Sequence, residues 1–400
     1  MRRCSLPSAD PFDEADLGLL SPGWAGRPVA AATGDAAVLA AIVRFEAALA
    51  TATAPAGVSA RIRDAAHDLD PREIARGARA DGNPVIPLLG VLRSRLAEDD
   101  AAWLHRGATS QDALDTALVL VARDAARLIV DDLAAAATRL CDLAEEHRAT
   151  VMSGRTLTRP STPVTLGLKL AGWAASTARA RAALRQAASA LPVQLGGASG
   201  TLAAFAGGGL AAMERVAAEL DLPVPDAPWH VDRAPLTRLA DALAETTAAL
   251  GTIGANVAAL ARAGLADDGA GGGSSTMPQK SNPVRAVLLN AAALQAPLLA
   301  AQLHLAARTV DERPDGAWHA EWQPFRELLR TAGGAAATGR ELAGGLRVHR
   351  EGIASDVAAN AEALVAESRR FAPAASPADY LGEADALTSR LLAAARRELA

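Results

Sequence analysis

The segment richest in chemically useful residues is 269–283, which reads GAGGGSSTMPQKSNP. Its four glycines favour a mobile hinge and its two prolines stiffen the chain that follows, so the loop could close over a ligand and exclude water. A serine hydroxyl ordinarily has too high a pKa to accept a proton, but backbone N–H donors and a nearby ammonium lower that pKa. The composition alone is equally typical of a glycine-rich surface linker.

Lysine is rare in this chain, because only Lys169 and Lys280 are lysines among its 40 basic residues. The planar fork of arginine cannot replace a compact ammonium in a tight site. A lysine that persists in such an arginine-rich chain therefore indicates a position where arginine is unsuitable. Lys280 lies within the glycine-rich loop, which favours a functional loop over a linker.

Two further segments interrupt the helical pattern. Residues 105–112 (HRGATSQD) place hydroxyls and an amide directly before a long helix, where free N–H groups suit an anionic ligand. An ordinary helix cap at Ser110 or Asp112 is the alternative. Residues 194–201 (QLGGASGT) allow the backbone to approach a ligand closely through their glycines. No strand pattern precedes them, so a dinucleotide-binding fingerprint is not expected.

Composition excludes several classes of function. The formal net charge of −5 leaves no basic surface for a nucleic acid. The two cysteines cannot build a disulfide framework, and the seven histidines show no metal-ligand spacing, so neither a metal nor another cofactor is expected. We find no uninterrupted apolar run of about 18 residues and no signal peptide, which predicts a cytoplasmic protein without a membrane partner.

The elements that must position these segments are long helices. Apolar residues recur every three or four positions in four stretches, at residues 112–148, 163–190, 235–263 and 284–307. Strand signals are nearly absent, so we predict an all-α long-helix bundle. Residues 286–307 are apolar on nearly every face, which favours a helical core shared between subunits; a central helix within one subunit is the alternative. We predict an N-terminal helical domain (1–103), a central bundle (104–346) and a short C-terminal helical region (347–400).

The loop at 273–283 resembles the signature loop of the fumarase/aspartase/adenylosuccinate lyase superfamily. Segments 105–112 and 194–201 resemble two other active-site regions of that superfamily, in the expected order. Within it, the chain is most similar to the 3-carboxy-cis,cis-muconate cycloisomerases. The stretches that carry this likeness are 82–87, 154–158, 167–173, 228–230, 316–324 and the VRAV that follows the loop at 284–287. The resemblance extends from about residue 35 to residue 345.

The resemblance implies a mostly α-helical homotetramer whose active sites combine three subunits and act on a small polycarboxylate without metal. Cycloisomerases of this family interconvert 3-carboxy-cis,cis-muconate and 4-carboxymuconolactone in the protocatechuate branch of the β-ketoadipate pathway. It implies that Ser274 transfers the proton. The other implied catalytic residues are Lys280 and Asn282, which would anchor a carboxylate, and His105. The implied substrate-binding residues are Thr109, Ser110, Gln111, Ser275, Met277, Arg159 and Arg313.

Four departures from the family pattern concern the substrate more than the fold. Leu157 stands where many superfamily lyases have a histidine, and Arg159-Pro160 stands where cycloisomerases usually have Gln-His. Ser281 replaces a common arginine, and the region after residue 347 is short. The alternative is therefore a lyase acting on a substituted succinate, such as a nitrosuccinate lyase that forms fumarate, with Arg159 holding the nitro or carboxylate group. A catalytically inactive paralogue is the third interpretation.

Overall fold

Helices make up most of the chain in the computed structural model, which describes residues 17–273, 276–277 and 280–400. The described helices are α1 (Pro28–Ala32), α2 (Asp35–Thr53), α3 (Val58–Ala65), α4 (Pro71–Asp81), α5 (Val85–Arg95), α6 (Glu98–Ala101), α7 (Ser110–Glu146), α8 (Leu166–Ser189), α9 (Gly209–Leu220), α10 (Ala234–Arg262), α11 (Val284–Ala306), α12 (Ala317–Gly345), α13 (Arg350–Ala359), α14 (Ala361–Leu364), α15 (Ser368–Phe371) and α16 (Ala384–Leu399). The strands are β1 (Val151–Thr156), β2 (Arg159–Thr165), β3 (Ala266–Asp267) and β4 (Arg347–Val348).

The four long helices predicted from apolar spacing are confirmed as α7, α8, α10 and α11, each within about three residues of its predicted ends. Residues 112–146 contain neither glycine nor proline, so nothing interrupts the 37-residue helix α7. The long helix α12 was not predicted. It contains Pro324 and five glycines, which obscure the helical pattern, but Phe325, Leu328 and Leu329 are fully buried on one side of it.

The β1–β2 hairpin is a correction to the expectation that strand signals are nearly absent. β1 and β2 pair antiparallel, with Thr156 opposite Arg159. The two turn residues, Leu157 and Thr158, both have positive φ (47° and 72°), as a tight two-residue hairpin requires. The turn lacks the usual Asn-Gly signal, which is why the sequence pattern missed it. The strands are short, and the all-α class is confirmed.

The chain folds as two compact units. The first comprises residues 17–125, 189–236 and 306–320, and its core includes Ile42, Phe45 and Leu49 of α2. The second comprises residues 126–188, 237–305 and 321–400, and its core includes Ile129 and Phe325. The unit boundaries fall within α7, α10 and α12 and at the last residues of α8 and α11. The three-domain division at residues 103 and 346 stays a prediction.

Two helices, α2 and α11, are long and apolar enough to cross a membrane by length and composition alone. Core helices of soluble proteins meet the same criterion. Most of α2 is buried in the first unit, whereas only a third of the most apolar part of α11 is buried. α11 therefore exposes much more of its apolar surface than α2 does.

Candidate active site

A single buried carboxylate joins the separate polar segments of the first unit. Asp112, in the first turn of α7, is fully buried. Its Oδ2 accepts hydrogen bonds from the N–H groups of Thr109 and Gly197, and its Oδ1 accepts one from the N–H of Gly196, all at 2.8–2.9 Å. Nε2 of His230 lies 2.7 Å from the same Oδ1. Asp112 therefore fixes the loop before α7, the glycine-rich turn and His230 relative to one another.

Glycine is required at the turn that meets Asp112. Gly197 has φ +72°, a left-handed conformation that disfavours other residues. A Cβ on Gly196 would lie 2.7 Å from Cε1 of His230 and 2.8 Å from Cβ of Pro228. The glycines of segment 194–201 thus allow the backbone to pack closely against the side chain of His230. In a dinucleotide site such glycines would instead follow directly after a strand.

Sequence reasoning did not assign a role to His230. A carboxylate only accepts hydrogen bonds, so Nε2 of His230 donates to Oδ1 of Asp112. Nδ1 is buried and has no hydrogen-bond partner among the described residues. Gln111, also fully buried, donates from Nε2 to the carbonyl of His230 at 2.9 Å, and its Oε1 likewise lacks a partner among them. These two buried polar atoms thus carry a cost of burial that no hydrogen bond among the described residues offsets.

A second buried carboxylate, Asp115, lies one helical turn further along α7. It forms a bidentate ion pair with Arg233 at 2.8 and 3.0 Å. It also accepts hydrogen bonds from Nε1 of Trp318 at 2.9 Å and Nε2 of Gln194 at 3.3 Å. Asp112 and Asp115 are three residues apart and therefore lie on one face of the helix. Only that spacing could have indicated this second anchor in the sequence.

His105 is held by a residue distant in sequence. Its Nδ1 lies 2.6 Å from Oε1 of Glu46, which is fully buried in α2. His105 itself has φ +60°, an uncommon conformation for a residue with a side chain. Burial favours its neutral form, but the negative charge of Glu46 and the hydrogen bond to it outweigh burial and raise the pKa of His105 above its usual value. The pairing with Glu46 therefore favours the charged form of the ring.

Replacing Glu46 with glutamine should lower the pKa of His105, because the attraction is removed while burial stays. The His105–Glu46 pairing contributes its full stability below the unfolded histidine pKa of about 6.5, and this contribution is lost as pH rises through the raised pKa of the folded state. The variant should therefore lose stability mainly at acidic pH. A histidine-resolved NMR pH titration measures the change. An unchanged or higher pKa in the variant would show that Glu46 does not control the protonation of His105.

Arg313 links two of the polar segments. One guanidinium nitrogen donates to Oγ1 of Thr109 and the other to the carbonyl of Ala198, both at 2.9 Å. Thr109 and Ser110 are half-buried at the start of α7. The structure therefore brings together five of the predicted site residues in the first unit, namely His105, Thr109, Ser110, Gln111 and Arg313.

The glycine-rich loop belongs to the second unit, and its ends are fixed. The N–H of Asn282 donates to the carbonyl of Gly272 at 2.8 Å, and Nδ2 of Asn282 donates to the carbonyl of Gly273 at 3.2 Å. The buried carboxylate of Asp268 accepts the N–H groups of Ala270 and Ala286 on either side of the loop. Asn282 thus closes the stem of the loop through both its backbone N–H and its side-chain amide. The predicted contact with a substrate carboxylate would be additional.

The remaining predicted site residues also lie in the second unit or outside the description. Lys280 and Met277 are exposed on the loop, and Arg159 is exposed at the start of β2, where it has no ion pair among the described residues. Ser274 and Ser275 lie outside the described residues. No group of three metal-ligating side chains occurs in the described ranges, and the absence of metal and cofactor stays a prediction.

Comparisons with known proteins agree with this fold. A family model described as lyase matches residues 38–298. The chain is 44% identical to nitrosuccinate lyase of Streptomyces davaonensis over 398 residues, covering 94% of this chain and 84% of that one. It is 39% identical to 3-carboxy-cis,cis-muconate cycloisomerase of Bradyrhizobium diazoefficiens over 384 residues, covering 92% and 84%.

The structural comparison extends over almost the same residues. The crystal structure of the 3-carboxy-cis,cis-muconate lactonizing enzyme from Pseudomonas putida matches with a TM-score of 0.84 and 31% identity, covering 90% of this chain and 95% of that one. The likeness first drawn from three loop motifs therefore holds for sequence and fold together. The chain is a member of the lyase family, an enzyme of the fumarase/aspartase/adenylosuccinate lyase superfamily, in the group of its cycloisomerase-like members.

Proposed function

We propose that the chain is a 3-carboxy-cis,cis-muconate cycloisomerase that interconverts this triacid and 4-carboxymuconolactone. The observation that carries the proposal is the likeness to the lactonizing enzyme of Pseudomonas putida, with a TM-score of 0.84 over 90% of this chain. The tip of the β1–β2 hairpin is compatible with it. Leu157, 96% exposed, occupies the position where many superfamily lyases carry an acid–base histidine. The site thus favours a leaving group that departs as a stable anion and needs no proton. A carboxylate, whose conjugate acid has a pKa near 4, is such a leaving group.

The proposed chemistry follows from that leaving group. In the lactone-opening direction Ser274, as its alkoxide, takes a proton from the carbon next to a carboxylate. The electron pair left on that carbon forms the new double bond, and the ring C–O bond breaks to release the second carboxylate. Lactone formation is the reverse, with Ser274 returning the proton to the same carbon. No electrons are lost or gained, so no oxidant or reductant is required.

Cationic groups stabilise the charge that develops on the substrate carboxylate in this step. In the proposed site Lys280, Asn282 and His105 hold carboxylates of the substrate. Arg313 orients Thr109 for the same purpose, and Ser110, Gln111, Ser275 and Met277 complete the binding surface. Donors fixed before the reaction stabilise developing charge more than mobile ones, because they need no reorientation. The partners of Arg313 at 2.9 Å and of Asp112 at 2.8–2.9 Å support such a fixed arrangement in the first unit.

The second candidate is elimination of nitrite from nitrosuccinate to give fumarate. The specific observation in its favour is the 44% identity to the Streptomyces davaonensis enzyme over 94% of this chain. Nitrite is also a stable anion, so Leu157 fits this reaction equally well. Arg159 lies two residues beyond Leu157, is exposed and forms no ion pair among the described residues, so it is a candidate for holding the nitro group.

One experiment separates the two candidates. The purified chain is supplied with 3-carboxy-cis,cis-muconate and the lactone is followed by proton NMR; in a parallel sample it is supplied with nitrosuccinate and nitrite and fumarate are measured. We expect lactone formation, with turnover on nitrosuccinate at least about 100-fold lower, since one pocket rarely suits both skeletons. Turnover of nitrosuccinate alone would overturn the cycloisomerase proposal, and a folded protein inactive on both would indicate an inactive paralogue.

The exposed face of α11 supports a homotetramer as part of this proposal. Leu294, Leu298 and Leu305 are 71–75% exposed, and Val287 is 55% exposed. Their spacings of seven, four and seven residues place them on one side of the helix. An exposed apolar stripe of this length is typical of a subunit interface. Light scattering on the purified chain should give the mass of four chains; the mass of one chain would contradict it. A cytoplasmic location, without a nucleic-acid or membrane partner, belongs to the same proposal.

A further inference from the structure

The second unit contains a cavity of about 460 Å³ that none of the predicted site residues lines. It lies between the β1–β2 hairpin, the first turn of α8 and the last turns of α10. A cavity of this volume is within the size range of small-molecule sites. Its lining residues are Met152, Ser153, Arg155, Thr158, Lys169, Asn256, Ala259, Leu260, Arg262, Ala263 and Leu265.

The lining is cationic and contains no carboxylate. Lys169, Arg155 and Arg262 contribute three positive charges. Only Arg155 has an ion pair, to Asp356 at 2.6 Å; neither Lys169 nor Arg262 has one among the described residues. The two positive charges that border the cavity repel each other, and an anion bound between them would offset this repulsion.

Lys169 is in an unfavourable position for a cation. It lies in the first turn of α8, where the helix dipole favours negative charge. Nζ of Lys169 donates a hydrogen bond to a neutral group, Oδ1 of Asn256, at 3.2 Å. Burial also lowers the pKa of Lys169, because the ammonium loses solvent without gaining a counter-charge. An anion at Nζ would relieve both costs.

A buried hydroxyl lines the same cavity. Ser153 of β1 is 3% exposed, and its Oγ has no hydrogen-bond partner among the described residues. A buried hydroxyl without a partner loses the hydrogen bonds it would have made with water. Ser153 and Lys169 therefore offer two donors to one anionic group.

The rest of the lining is apolar and comes from Met152, Ala259, Leu260, Ala263 and Leu265. An inorganic ion would fill only a small part of the cavity and would leave these apolar side chains without a packing contact. We propose that this cavity binds a small organic dicarboxylate, with one carboxylate on Nζ of Lys169 and Oγ of Ser153, the carbon skeleton against the apolar residues and the second carboxylate at Arg262. This inference does not rest on the proposed function, because it uses none of the same residues.

The rarity of lysine provides a site-resolved test. Reductive methylation of the full chain with ¹³C-formaldehyde gives two lysine side-chain signals, which Lys169→Arg and Lys280→Arg variants assign. Titration with succinate should shift the Lys169 signal with saturation and raise the pKa of Lys169 by about one unit or more. A Lys169 signal unmoved at about 10 mM succinate in the folded protein would overturn the proposal.

Two variants and one second probe complete the test. Arg262→Met and Ser153→Ala should each weaken the succinate response of Lys169 about tenfold, because each removes a proposed donor. Lys280→Met is the matched control, since it removes the other lysine and should leave the Lys169 response intact. Inorganic phosphate should shift the Lys169 signal far less than succinate. An equal response to phosphate, or an unaltered one in both cavity variants, would overturn the assignment to an organic dicarboxylate.

Discussion

Replacing Ser274 with alanine is expected to lower turnover at least about 100-fold with little change in the midpoint of unfolding. The reason is that the proposed reaction removes or returns a proton at a carbon next to a carboxylate, and a positioned acid–base group typically contributes a factor of 10² to 10⁴ to such a step. Steady-state kinetics by the NMR assay for the lactone measure the loss. The effect should fall on kcat more than on KM, since the serine acts in the transition state.

Ser281→Ala is the matched control for this prediction. Ser281 is an exposed hydroxyl in the same loop, close to the stem formed by Gly272 and Asn282, and is not among the predicted site residues. Turnover of this variant should stay within a few-fold of the parent chain. Unchanged turnover in Ser274→Ala, or equal losses in both variants, would show that loop integrity rather than the Ser274 hydroxyl limits the reaction.

Asp112→Ala is expected to cost about 3–5 kcal/mol of unfolding free energy, because the change leaves buried donors unpaired. Three backbone N–H groups and His230 lose their acceptor at once. The loop before α7 and the glycine-rich turn then lose their common anchor, so activity should fall as well. Urea unfolding followed by circular dichroism measures the change.

Asp70→Ala is the comparison variant for this experiment. Asp70 caps the exposed N-terminus of α4, where its carboxylate accepts the N–H of Arg72 at 2.9 Å, so removing that carboxylate should cost about 1 kcal/mol. Asp112→Asn, which retains one acceptor oxygen, should be intermediate and provides a measurement if the alanine variant does not fold. Similar losses for Asp70→Ala and Asp112→Ala would contradict the anchoring role of Asp112.

The first site region illustrates how far the sequence could lead. The residue types at 105–112 indicate a helix N-terminus suited to an anion, and an ordinary helix cap at Ser110 or Asp112 is the alternative. In the structure Asp112 does make a cap-like contact, to the N–H of Thr109, while also holding the turn at Gly196 and Gly197. The two interpretations are therefore compatible, because the side chain that caps the N-terminus of α7 also holds the surrounding loops.

The sequence by itself determined four of the long helices, but not α12, together with the loop chemistry. Apolar spacing depends on neighbours three and four positions away, and α7, α8, α10 and α11 therefore followed from local pattern. The glycine-rich loop and its lysine were also evident, because the residue types that allow a loop to bind an anion lie consecutively in the chain. The family likeness rested on the same consecutive motifs.

Only the tertiary structure decided which distant residues complete these motifs. Glu46 reaches His105 across 59 positions, Asp112 reaches His230 across 118, and Asp115 pairs with Arg233 at the same separation. Each of these is a buried charge or polar group, and its cost of burial is offset only by a partner that the fold brings to it. Such a partner leaves no local pattern in the sequence, because the interaction depends on distance in space and not on spacing along the chain.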